Sequence, residues 1–286
     1  MKRILNVVFF ISLFWNVGFA QEISRPQIWG IAKMTFLVSD FQLARDFYGK
    51  YLGFEEAFSY PSKLGKVVSF KVNDHQFLEF IEDRDAPNKD RLVSVSFETE
   101  SVEQMRAYLK NMGLEVSENV SVDGVGNEVI QLHDPYGIPL EFINFKTEGL
   151  HRNSKGKFLS DNRISKRIHH VGLSCDNVID DDPFYVGILG CVELWRNPED
   201  RKEKIIMDYL YLPDCVENIE HYRNDVNWSH PCFLVDDMQE TIYTLKNRRG
   251  DYELSKPTVG KGNRWLLNIK NIDGGKVEFT EAHTVR

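Results

Sequence analysis

The chain has 286 residues, of which 42% are in the AVILMFWYC set and 27% are charged. That balance excludes a disordered or fibrous protein and fits two globular domains or one large one. The formal net charge of −8 makes nucleic acid and anionic membrane surfaces poor partners.

The first 20 residues read as a leader. Lys2 and Arg3 form a charged start, Ile4–Val17 is nearly all apolar, and Gly18 and Ala20 stand at −3 and −1 of a cut before Gln21. A buried N-terminal helix is the alternative, but charge placement, length and cleavage site agree on a signal peptide. The mature chain is then expected to be exported, to the periplasm of a Gram-negative cell or the medium, with a net charge of −10 once Lys2 and Arg3 are gone. Beyond the leader no apolar run is long enough to span a bilayer. Export permits disulfides. The four cysteines, Cys175, Cys191, Cys215 and Cys232, all lie in the second half. Their spacings match no zinc motif and leave free thiols and bridges equally open.

Four copies of one pattern follow. In the first, a strand-like run ends at Asp40, a helical stripe carries Phe41, Ala44, Phe47 and Tyr48, and two more strands read as Val67–Val72 and Gln76–Ile81. The second begins at Leu92. Its helix carries Val102, Met105, Leu109 and Met112, with Gly113 at the C-cap position, and it closes on two strands around Pro135-Tyr136-Gly137. The segment Lys146–Ser165 is polar and basic and reads as a linker. The third copy starts at His169 and the fourth at Ser229. Each unit is a strand, a helix and about three strands, and two units make a domain. The expected organisation is a signal peptide over 1–20, domains over 27–147 and 165–283, and a linker over 148–164.

The segments LARDFYGKYLGF (Leu43–Phe54), DPYGIPLEF (Asp134–Phe142), PFYVGILG (Pro183–Gly190) and NIDGGKVEF (Asn271–Phe279) carry a resemblance. With the fourfold layout, they make residues 28–283 similar to the vicinal oxygen chelate superfamily of glyoxalases, extradiol dioxygenases and bleomycin-resistance proteins. The resemblance implies an α+β fold of two tandem domains. Each is a pair of βαβββ modules whose mixed sheet curls into a cup around one divalent metal.

In that family each module offers two ligand positions: one on its first strand, seven residues before the Asp or Asn that opens the helix, and a Glu on its last strand. Asn177 points back to His170, and Asp237 to His230; the last strands supply Glu220 and Glu278. The resemblance therefore implies a His170, Glu220, His230, Glu278 metal site in the second domain. In the first domain the same count reaches Lys33 and Ser94, with Glu79 and Glu141 on the last strands. An ammonium and a hydroxyl cannot replace two imidazoles, so no metal is expected there, and Lys33 is expected to pair with one of the glutamates.

Two neutral imidazoles and two carboxylates make a neutral site for Zn, Ni, Fe, Mn or Co, with two octahedral positions left for vicinal substrate oxygens. Either His alone would more often be a hydrogen-bonded core residue; the four matched positions favour metal. Glu220 and Glu278 are the candidate catalytic bases. Weaker substrate candidates are Arg196, Tyr209, Arg264 and Asn268, with Trp195 and Tyr211 beside them and sheet packing as the alternative. By alternation His169 and His221 are expected on the opposite faces of their strands, and His75 and His133 on the surface.

Three functions compete. The leading one is a metal-dependent glyoxalase-like lyase or isomerase of a small oxygen-rich molecule. Export favours a sugar-derived or keto-acid substrate over a glutathione hemithioacetal. An extradiol-type dioxygenase is the second, disfavoured by a fourth ligand at Glu220. A non-catalytic small-molecule binding protein is the third. Metal identity, substrate and oligomeric state are not legible.

Overall fold

A computed structural model describes residues 23–85, 90–223, 229–270, 273, 275–283 and 285. The leader lies outside the described residues. Among the described residues no helix is long and apolar enough to cross a membrane.

The first sheet is built from β1 (Ile28–Val38), β2 (Glu55–Ser62), β3 (Gly65–Lys71), β4 (Phe77–Glu82), β5 (Leu92–Thr99), β6 (Ser121–Val122), β7 (Glu128–His133) and β8 (Pro139–Asn144). Helix α1 (Phe41–Ala44), continued by a π-helical turn over Arg45–Tyr51, follows β1, and α2 (Val102–Asn111) follows β5. A short α3 (Leu150–Asn153) leads to the second sheet: β9 (Ile168–Cys175), β10 (Val192–Asn197), β11 (Met207–Tyr211), β12 (Asn218–Arg223), β13 (His230–Val235), β14 (Thr258–Val259), β15 (Trp265–Lys270) and β16 (Lys276–Glu281). A π-helical turn over Pro183–Ile188 follows β9, and α4 (Met238–Asn247) follows β13.

The strand orders are β2-β3-β4-β1-β5-β8-β7-β6 and β10-β11-β12-β9-β13-β16-β15-β14. The second repeats the first strand for strand, as expected of tandem vicinal oxygen chelate domains. Within each module the last strand returns parallel to the first, and the two first strands pair antiparallel. The four strands that carry the ligand positions are therefore the four central ones.

Local chemistry starts the first, second and fourth of these helices where the pattern placed them, and the third five residues later. The side chains of Asp40, Ser101, Asp182 and Asp237 each accept a backbone N–H of the following turn, satisfying donors that a helix start leaves open. In the third module the cap is Asp182. Asn177, from which the ligand position was counted, lies two residues beyond the end of β9. Asp40 holds the same place after β1, so the two positions correspond when counted from the strand end, and residues 178–182 intervene before the helix.

The two sheets share one continuous core: Phe54 packs on Phe233 with ring centroids 5.0 Å apart. Polar clamps cross the same seam. The Glu217 carboxylate accepts from the backbone N of Ile31 at 2.5 Å and from Gln76 Nε2 at 2.8 Å. Tyr185 donates to Asp134 at 2.8 Å. The segment read as a linker is itself packed: Ile164 N donates to Leu52 O at 2.8 Å, and His151 is fully buried. Its composition is polar, but the buried His151 helps to tie it down by stacking on Phe145 with centroids 4.3 Å apart. All four cysteines are free thiols.

Glu217 reaches Ile31 past Gly30, whose φ is +132° and whose added Cβ would lie 2.3 Å from Glu217 Oε2. Gly30→Ala is expected to lower the unfolding free energy by about 1–3 kcal/mol, read as a fall in the urea midpoint.

Candidate metal centre

His170, Glu220, His230 and Glu278 stand on β9, β12, β13 and β16. Glu220 and His230 both pair across from Gly172, and Glu278 pairs with Cys232, itself opposite His170. Alternation brings all four side chains to one face. One donor atom from each lies within 4.8 Å of the other three. His170 Nε2 is 3.2 Å from Glu278 Oε2 and 3.9 Å from Glu220 Oε2, and His230 Nε2 is 3.8 Å from Glu278 Oε2.

The donor set fits a divalent metal. His170 Nε2 is buried and makes no hydrogen bond among the described residues, although it faces two carboxylates. A buried polar atom left in that state is costly, and coordination to a cation would relieve it. On the far side of each ring, His170 Nδ1 is 3.0 Å from Tyr209 Oη and His230 Nδ1 is 3.3 Å from Tyr222 Oη. Such outer contacts orient ligand imidazoles.

Burial disfavours charge on Glu220, His230 and Glu278. At Glu278 it is outweighed by the adjacent His170 and His230 imidazoles and the Lys276 ammonium, which hold this carboxyl well below its usual range. At Glu220 burial, reinforced by Glu278 and opposed by His170, pushes the carboxyl up to about 7. Burial and the Lys276 ammonium bring the His230 imidazole down to about 4. Burial also raises the Tyr209 phenol well above its usual value.

A cavity of about 430 Å³ opens on the cluster. Trp195, Met207, Tyr209, Tyr222 and Leu266 give it aromatic and apolar walls, and Arg264 and Lys276 supply positive charge. Trp195 stacks on Tyr209 with ring planes 9° apart. Of the weaker substrate candidates, Tyr209 and Arg264 line this cavity. Arg196 does not: it points to the opposite face of β10 and forms a bidentate pair with Asp180 at 2.5 and 3.0 Å. The register shift between Glu193 and Trp195 turns Trp195 inward. Asn268 sits opposite Glu278 in the sheet but is not part of the cavity wall. Tyr211 is likewise outside that wall.

His169 departs from simple alternation. Ile168 pairs with Phe233 and His170 with Cys232, so His169 is the extra residue of a β-bulge. Its side chain joins the ligand side: Nδ1 is 3.1 Å from Tyr209 Oη, and Nε2 is 2.7 Å from Arg264 Nη1. Burial, with His170 and Arg264 nearby, holds this imidazole neutral, down to about 2. His221 does face away and pairs with Asp208 at 2.9 Å. His75 and His133 are exposed. Tyr222 and Lys276 were missed in the sequence; each lies two residues from a ligand glutamate, which is the signal that could have found them.

The first sheet presents the same positions with different occupants. Lys33 Nζ lies 3.0 Å from Glu79 and 3.6 Å from Glu141, so one ammonium spans both carboxylates. Glu79 also accepts from Tyr60 at 2.7 Å and lies 3.2 Å from His151 Nε2. Burial would raise the Glu79 carboxyl, but Lys33 and these hydrogen bonds outweigh it and hold it at about 2. Thr35 pairs with Glu79 and Ser94 where the second sheet has Gly172. A Cβ on Gly172 would lie 2.2 Å from His230 Cε1: the imidazole fills the room that a side chain would take.

Residues 30–142 match the sequence model of the Glyoxalase/Bleomycin resistance protein/Dioxygenase superfamily. That match spans the first domain. The second domain repeats its topology and carries the ligand cluster. No curated protein sequence matches the chain. Among solved structures, the chain is similar to homoprotocatechuate 2,3-dioxygenase from Arthrobacter globiformis, at 18% identity and a TM-score of 0.69 over 91% of this chain and 81% of that one. An extradiol ring-cleaving dioxygenase from B. fuscum gives 19% and 0.70 over 91% and 73%. The Mn(II)-bound glyoxalase from Novosphingobium aromaticivorans gives 19% and 0.69 over 90% and 83%. At these identities the likeness is one of fold.

Two outcomes follow from the site geometry. Gly172→Ala is expected to displace His230 and weaken zinc binding about tenfold or more, measured by competition with a chromogenic chelator. The second concerns Glu79, whose folded pKa lies below its unfolded value of about 4.3. Its contribution to stability is present above that value and is lost as pH falls toward about 2. Urea midpoints measured from pH 5 to 2 should therefore fall, with a shallower slope in Glu79→Gln.

Proposed function

We propose that the chain is an exported, metal-dependent enzyme of the glyoxalase-like kind, a lyase or isomerase of a small oxygen-rich molecule. The convergence of His170, Glu220, His230 and Glu278 beside a cavity open to a ligand carries this reading. When bound, a divalent ion would act there as a Lewis acid toward two adjacent substrate oxygens. The remaining roles belong to the chain. Trp195, Tyr209 and Leu266 hold the body of the substrate and exclude water. Arg264 and Lys276 offer positive charge to its oxyanion groups. Glu220 or Glu278, each beside the chelating position, takes the proton from the carbon next to the substrate carbonyl and returns it elsewhere in isomerisation, or yields elimination. The leader Met1–Ala20 supports export.

An extradiol-type oxygenation is the second reading. It is favoured by the fold shared with ring-cleaving dioxygenases and opposed by Glu220, whose carboxylate belongs to the ligand cluster. The third, sequestration without turnover, would leave the glutamates without a reaction to serve.

Protein purified from its native compartment should carry one divalent ion per chain by elemental analysis, lost in the His170→Ala/His230→Ala double variant. In a screen of keto-sugars, 2-oxo acids and hemithioacetals, Glu220→Gln or Glu278→Gln should lower turnover about 10²-fold or more even where metal is retained. Oxygen uptake with a catechol would establish the second reading instead, and tight binding without product the third.

A further inference from the structure

The cup of the first domain encloses a cavity of about 630 Å³, a size that ordinarily holds a small molecule. Thr35 pairs with Glu79 and Ser94, Lys33 with Ser96, and Ser96 with Glu141, so these side chains share one face and form the cavity floor. The carboxylates there are already engaged. Glu79 accepts from Lys33 and Tyr60, and Glu141 accepts from Ser96 Oγ at 2.6 Å and Gln131 Nε2 at 2.8 Å. The hydroxyls of Thr35 and Ser94 are different. Both residues line the cavity at only 5% and 6% exposure, and neither hydroxyl makes a hydrogen bond among the described residues. A buried hydroxyl left without a partner is costly. Above the floor Val67, Ile81, Val129, Leu132 and Leu140 form an aliphatic wall. The wall closes where Gly124, lacking a Cβ, lets the loop before β7 meet the Pro61 carbonyl of β2. At the mouth Leu64, in the β2–β3 turn, and Val122, on β6 at the opposite edge of the sheet, are both exposed.

We infer that this cup is a second binding site, for a small uncharged molecule with an aliphatic body and one hydroxyl or carbonyl head. The head meets the Thr35 and Ser94 hydroxyls on the floor, and the body lies against the wall under Leu64 and Val122. The class follows from what the floor leaves free. Lys33, Glu79 and Glu141 carry a formal charge of −1 between them, so a carboxylate head would add a second buried negative charge with no counter-ion of its own. An ammonium head would find both carboxylates taken by protein donors and the Lys33 ammonium standing between them. A neutral oxygen is cheap to desolvate, and a threonine or serine hydroxyl can either donate to it or accept from it. The aliphatic wall supplies the hydrophobic contribution to affinity. The inference is independent of the metal reading, because the cation of this cup is Lys33.

The test titrates the whole two-domain chain at pH 7 with three probes of one length, octan-1-ol, octanoate and octylamine, and follows methyl resonances by NMR. Octan-1-ol should bind at about 1 mM or tighter, shifting the methyls of Val67, Val129 and Leu140 and not those of Leu194 and Leu266 in the second cup. Octanoate and octylamine should each bind about tenfold or more weakly. EDTA should leave the octan-1-ol affinity unchanged, which separates this site from the metal centre. Thr35→Val and Ser94→Ala remove one hydroxyl each and leave the Lys33–Glu79 pair in place. Each should weaken octan-1-ol about threefold, and the pair together about tenfold, the scale of neutral hydrogen bonds, with urea midpoints close to that of the parent chain. No octan-1-ol binding, or shifts confined to the second cup, overturns the site. Octanoate or octylamine binding as tightly as octan-1-ol overturns the uncharged head. Unchanged octan-1-ol affinity in the folded double variant overturns the role of the two hydroxyls.

Discussion

The structure depends on the parallel return of each module's last strand to the side of its first. That pairing, made twice in each sheet across one antiparallel seam, puts four strands at the centre with their ligand positions on one face. A strand alternates with a period fixed by its backbone, so a residue at such a position reaches the common centre whatever its chemistry. The frame delivers four side chains to a point; the residue types then decide whether that point holds a dication or an ammonium.

Both solutions are visible in one chain. In the second sheet two imidazoles and two carboxylates surround a centre that Lys276 approaches only from one side, 3.9 Å from Glu278, and His170 Nε2 is left without a hydrogen bond among the described residues. In the first, Lys33 brings its own positive charge to Glu79 and Glu141. A buried carboxylate pair with no cation would be strongly destabilising. The lysine supplies both carboxylates with a covalently attached cation, so the cup does not draw its positive charge from a metal. Tyr60 and His151 complete the hydrogen bonding of Glu79, which draws the segment after the first domain into its core.

Much of this was legible from residue order. The four strand–helix–strand units and the capping residues Asp40, Ser101 and Asp237 follow from periodicity and spacing, and the residues at the ligand positions follow from what the family resemblance implies. Three things were not legible, each for a physical reason. His169 lies in a bulge, and an extra residue in a strand inverts the alternation on which its assignment to the far face relied. Arg196 was placed near the substrate by proximity in sequence, but the register shift at Glu193–Trp195 sends it to Asp180. The segment around His151 looked like solvated linker because its polarity is carried by many residues and its anchoring by a few, among them the buried His151 and Ser154.

The contrast between Gly172 and Thr35 bears on descent. A histidine at the fourth-module type of position needs a residue without a Cβ across the seam from it. Restoring histidines at positions 33 and 94 would therefore still leave Thr35 in the way of the second ring, and a glycine at 35 alone would weaken a strand that has no imidazole to fill the gap. Three substitutions would have to coincide, and the first of them removes the ammonium on which the neighbouring carboxylates rely. The first domain is thus entrenched: no single substitution would give it a site of the second domain's kind.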